Sequence, residues 1–144
     1  MKRALVLFAC AAMSAVLTAQ QPAAAKVTAA SFIGTWNVTS VNGEAAPPLQ
    51  FVVDKDGYSV VVNGQVVERG GIKFDVAKTP MTVDLAITEG DDAGKSQVGI
   101  VELSGDTIRM QLNAPAATAR PTTFDIQEGF FLFTGERQKT RARP

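Results

Sequence analysis

Phe32-Ile33-Gly34-Thr35-Trp36-Asn37-Val38-Thr39-Ser40-Val41 reads as a strand that opens on Gly-x-Trp and carries the only tryptophan of the chain. Gly34 removes a side chain where another backbone passes close, and Trp36 supplies a large apolar plate whose N–H still needs an acceptor. Both suit the end of a β-barrel. An ordinary core tryptophan after an ordinary strand glycine fits these two residues equally well, so the stretches around them have to decide.

Working outward, further strand-like runs follow at short intervals. Asn42-Gly43 turns the chain, Glu44 to Pro48 is a loop, and Leu49 to Val53 is a short strand. Asp54-Lys55-Asp56-Gly57 turns into Tyr58 to Val62, and Asn63-Gly64 is a strong hairpin signal leading into Gln65 to Arg69. Gly70-Gly71 reads as a break. Ile72 to Val76 and Met81 to Ile87 then alternate apolar and polar residues with period two, as strands buried on one face do. A polar loop from Thr88 to Lys95 leads to a strand over Gln97 to Leu103, the turn Ser104-Gly105-Asp106, and Thr107 to Leu112. After a small-residue loop from Asn113 to Pro121, the last strands predicted are Thr123 to Gln127 and Phe130 to Thr134. The expected fold is all-β: an antiparallel up-and-down barrel of about eight to ten strands, which closure frees of exposed edges. Inward positions are assigned to Trp36, Val38, Phe51, Tyr58, Val60, Val62, Ile72, Phe74, Val83, Leu85, Ile100, Ile108, Met110, Phe124 and Leu132.

At 144 residues the chain fits one domain with one core. Its 14 basic residues offset its 14 acidic ones and the charges are scattered, so no footprint for a nucleic-acid backbone exists. Lys2 and Arg3 precede an apolar run from Ala4 to Ala19, the pattern of a secretory signal peptide over residues 1–25, with cleavage after Ala19 or Ala25. The run is shorter than the roughly 20 apolar residues that span a bilayer, and no second one follows. A secreted or periplasmic monomer without a membrane span is therefore expected, ahead of an uncleaved anchor or a lipoprotein attached at Cys10. Residues 26–31 read as a flexible leader, 32–137 as the barrel and 138–144 as a basic tail. The sole cysteine, Cys10, leaves with the signal, so the core has to hold without a disulfide.

Gly34-Thr35-Trp36, Tyr58 to Val62 after an Asp-Gly turn, Thr79-Pro80-Met81-Thr82-Val83-Asp84-Leu85, Gly99-Ile100-Val101-Glu102-Leu103 with Gly105-Asp106, Arg120-Pro121 with Phe124, and Arg137 together form a pattern. It resembles a lipocalin-like family of uncharacterised exported planctomycete-type proteins. The resemblance implies export and a lipocalin-like barrel, and implies no catalytic residues and no particular ligand. In lipocalins an arginine near the end of the last strand packs over the tryptophan of the first and closes one end of the barrel. Gly34, Trp36 and Arg137 match those positions, and a guanidinium on an indole face is attracted by about 0.5 to 2 kcal/mol. The alternative is that Arg137 opens the basic tail with Lys139, Arg141 and Arg143.

The chain contains no histidine, which removes the usual neutral-pH base and the commonest zinc ligand. No nucleophile elbow or phosphate loop is present, so neither catalysis nor a cofactor is expected. Asp54-Lys55-Asp56-Gly57 has alternate carboxylates like half a calcium loop but lacks the downstream acid, and reads as a β-turn; no metal is expected. Glu102, in alternation with Val98 and Ile100, is the one charge that could point inward, where it would need a partner such as Arg109 or Arg120 and could anchor a ligand head group; the preferred reading is a strand-end residue reaching solvent.

Two functions fit. The first is an exported binding protein holding a small apolar or amphipathic ligand, with Trp36, Tyr58, Phe74, Leu85 and Met110 as lining and Glu102 as polar anchor. The second is a solidly packed barrel whose loops, at 44–48 and 88–95, contact a protein partner in the manner of a protease inhibitor.

Overall fold

The computed structural model describes residues 26–140. The expected signal peptide with its two cleavage points and Cys10, and the end of the basic tail with Arg141 and Arg143, lie outside the described residues. No helix among the described residues is long and apolar enough to cross a membrane.

The strands are β1 (Gly34–Val41), β2 (Glu44–Ala45), β3 (Leu49–Val53), β4 (Tyr58–Val62), β5 (Gln65–Asp75), β6 (Met81–Glu89), β7 (Ser96–Ser104), β8 (Thr107–Asn113) and β9 (Phe130–Arg137). Every pairing is antiparallel. The order β1-β3-β4-β5-β6-β7-β8-β9 returns on itself through a β1–β9 pairing, giving a closed eight-stranded up-and-down barrel. The two-residue β2 folds back onto the end of β1, where a loop was expected. The barrel core runs from Trp36 and Phe51 through Tyr58, Val83 and Leu85 to Ile108, Met110 and Phe133.

Two further expectations about the strands fail for identifiable reasons. Gly70-Gly71 does not break the chain, because β5 runs straight through it. Gly70 faces Tyr58 across the β4–β5 ladder, and a Cβ there would collide with the Tyr58 ring and the Ala86 carbonyl. The glycine lets a strand pass beneath an aromatic ring. Thr123 to Gln127 is not a strand: β8 is already bonded to β7 and β9, so no ladder edge is left for it.

That segment belongs instead to a strap, residues 114–129, laid on the outside of the barrel. Arg120 donates to the Val83 and Gly99 carbonyls at 3.2 and 2.8 Å and to Asp84 at 2.6 Å. Asn113 donates to the Ala117 and Ala119 carbonyls and accepts from the Val98 N–H, while Gln111 donates to the Asp125 carbonyl. Phe124 stacks under the Arg109 guanidinium at 4.4 Å. Ile100 is buried on this outer face, opposite Gln111, and Leu132 lies on it too. Ile100, Phe124 and Leu132 are therefore outside the barrel, contrary to expectation. A strand roofed on one side and packed on the other is apolar on both faces, and alternation then loses its meaning.

Candidate functional site

The two ends of the barrel are built differently. At the end where β1 begins, Trp36 and Arg137 are directly opposed across β1 and β9, and the guanidinium carbon lies 4.2 Å from the centre of the Trp36 ring. Arg137 also donates to the Ile33 and Ser31 carbonyls, both at 2.7 Å, and pairs with Asp106 at 3.4 Å. These carbonyls belong to a 3-10 turn, Ala29–Phe32, and the residue after it. The end of the supposed leader is thus an ordered plug. Its last residue, Phe32, is fully buried, accepts the Trp36 indole N–H through its carbonyl at 2.9 Å, and stacks on Phe74 at 4.2 Å. Gly34 sits at φ +146° with Arg137 Nη1 only 2.8 Å from where a Cβ would stand, so a side chain there would displace the arginine.

The opposite end is open. Between the β1–β3 connection and the mouth of β9 lies a pocket of about 260 Å³, lined among others by Val38, Leu49, Phe51, Val60, Leu85, Leu112, Phe131 and Phe133. Phe131 points inward beside Leu112 yet is 47 % exposed, because the pocket opens past it to solvent. Tyr58, Phe51 and Phe133 form an aromatic row beneath the pocket, with ring centres 5.4 and 5.3 Å apart in turn.

Two polar side chains line this apolar wall from the strands on either side of β6. Gln97 on β7 donates to the Asn113 carbonyl at 2.8 Å. Glu68 on β5 accepts the Tyr58 hydroxyl at 2.7 Å. Burial first, and then the hydrogen bond to Glu68 and its charge, push the Tyr58 phenol far above its ordinary pKa, so its O–H stays a donor to the carboxylate.

Of the residues assigned to ligand binding from sequence, only Leu85 lines this pocket. Trp36 and Phe74 belong to the sealed end, and Tyr58 and Met110 are buried without lining the pocket. Glu102 is not an inward charge: it is exposed on the outer face and pairs with Arg109 at 3.0 Å. Its alternation partners Val98 and Ile100 are apolar because of the strap, not the barrel.

The inward carboxylate is Glu68, which regular pairing hides. A two-residue Asn63-Gly64 turn sets Val62 opposite Gln65 and Val61 opposite Val66, and continued regularly would put Val67 beside Val60 and Glu68 outside. A bulge at Val67 instead brings Glu68 opposite Val60 and turns it inward. The signal that could have suggested this is Val66-Val67, two adjacent apolar residues both left exposed near the hairpin tip.

No group of three or more His, Cys, Asp or Glu side chains gathers as a metal site among the described residues. At Asp54 the carboxylate accepts the Asp56 and Gly57 N–H groups at 2.7 and 2.9 Å, the geometry of an Asx turn. The chain matches no protein family, no curated protein and no solved structure.

Proposed function

We propose that this chain is an exported, lipocalin-like binding protein that holds a small apolar or amphipathic ligand in the open end of its barrel, without catalysis. The observation that carries the reading is the pocket of about 260 Å³, closed below by aromatic rings and walled by aliphatic side chains. Small-molecule sites are concave and mostly apolar, with a few polar groups fixing orientation, and here Glu68 and Gln97 supply those groups. The Gly34, Trp36 and Arg137 arrangement supports kinship with the lipocalin-like family, and the basic-then-apolar start of the chain supports export.

Native mass spectrometry of the protein, purified without detergent from an exporting host, tests the reading. A reproducible non-covalent adduct, or one formed on incubation with small apolar molecules, is the expected result. A bare mass under both conditions would overturn it and turn attention to the loops at 44–48 and 88–95 as contacts for a protein partner.

A further inference from the structure

The polarity of the pocket points to a ligand class. Glu68 is the only charged residue among those lining it, and no lysine or arginine joins it there. One carboxylate oxygen, Oε1, takes the Tyr58 hydroxyl; the other has no hydrogen bond or ion pair among the described residues and, on this half-buried side chain, stays accessible from the pocket. The neighbouring arginine, Arg69, points the other way and pairs with Glu89 at 3.6 Å. Satisfying a phenol requires a single acceptor, which a glutamine or a backbone carbonyl provides equally well. A carboxylate brings a second acceptor and a negative charge to an apolar wall, and its free oxygen is left for a donor that enters the pocket. The bulge at Val67 specifically aims it there.

We infer, on the reading that the pocket is a ligand cup, that its ligand is a cationic amphiphile: a small apolar body bearing a protonated amine, whose N–H groups pair with the free oxygen of Glu68. The Tyr58 hydroxyl holds the carboxylate in place, and Leu49, Leu112 and Phe131 take the apolar body. The same charge repels fatty acids and other anionic amphiphiles of equal length.

Titration calorimetry of the protein with octylamine, 1-octanol and octanoate, against wild type and Glu68→Gln, tests this. The substitution keeps the shape of the wall and an acceptor for the Tyr58 hydroxyl while removing the charge. Octylamine should bind wild type about ten- to a hundredfold more tightly than octanol, the usual range for a charge-assisted hydrogen bond, and octanoate more weakly than octanol. In Glu68→Gln the preference for octylamine over octanol should disappear. Octanol binding with no preference for the amine, octanoate binding best, or an unaltered octylamine affinity in Glu68→Gln would overturn the inference and leave the cup standing. If none of the three binds wild type, the cup itself fails and the inference with it. Should Glu68→Gln lose octanol as well, the wild-type ratio of octylamine to octanoate decides alone.

Discussion

At one end of the barrel Phe32, Trp36 and Phe74 lie packed beside the Arg137 guanidinium, and at the other Leu49, Leu112 and Phe131 surround open space. Both ends are made by the same eight strands, and an eight-stranded barrel is just wide enough to be filled by its own side chains. The difference comes from the connecting segments. Residues 29–32 enter one end as a turn whose carbonyls satisfy both the indole and the guanidinium. The connection over 114–129, the longest in the barrel, does not cap the other end; Arg120, Asn113 and Gln111 bind it to the outer wall. Closing an end of such a barrel thus takes backbone as well as side chains, and where the longest loop is tied outside, a cup is left.

The sharpest way to break this contrast is to hollow the sealed end. Trp36 is fully buried and its indole N–H is bonded, so Trp36→Ala should cost about 3 to 5 kcal/mol in urea or thermal unfolding. A loss under about 1 kcal/mol would show that the sealed end does not hold the barrel shut, and the two ends would no longer differ in kind.

The sealed end was largely readable from the residues, and the open end was not. Gly-x-Trp at 34–36 and an arginine at 137 are defined by type and position, and neither depends on the register of the strands between them. The strand meander was readable for the same local reason, since turns such as Asn63-Gly64 and Ser104-Gly105-Asp106 punctuate it. Which residues face the cup depends on register, and a one-residue shift sends every side chain beyond it to the other face. The bulge at Val67 shifts Glu68 in that way, with no proline or glycine to announce it. On β7 the strap makes Ile100 apolar on the outer face, so alternation alone pointed Glu102 inward, and it is the other reading, a residue reaching solvent, that holds. The part Phe32 plays as a plug was hidden because the residue reads equally well as the first of the β1 strand.

A smaller effect sharpens the contrast by asking what joins the plug to the barrel. Arg137→Ala removes the stack on Trp36 and two donors at 2.7 Å, and leaves the Ser31 and Ile33 carbonyls to find other partners. A loss of about 1 to 3 kcal/mol is expected, with a coupling to Trp36→Ala of about 0.5 to 2 kcal/mol in a double-mutant cycle. Coupling arises because the guanidinium in the single Trp36→Ala variant no longer has a ring to stack on. Strict additivity would mean that arginine and indole contribute independently, and the seal would reduce to two unrelated contacts.

The smallest expected change in stability lies at the mouth. Phe131 is on β9 two residues before Phe133, on the same inward face, yet the first is 47 % exposed and the second buried. Phe131→Ala therefore removes only about half the surface that a core phenylalanine buries, and unfolding should shift by about 1 kcal/mol or less. Its larger consequence should fall on binding, because a bound apolar body would cover the ring: affinity for octylamine or octanol should drop roughly tenfold or more, the equivalent of about 1.4 kcal/mol or more. A residue that matters to the ligand more than to the fold is what an open cup requires of its rim. Equal losses from Phe131→Ala in stability and in affinity would mean that Phe131 is part of the packed core, and the mouth would then be a second, looser seal.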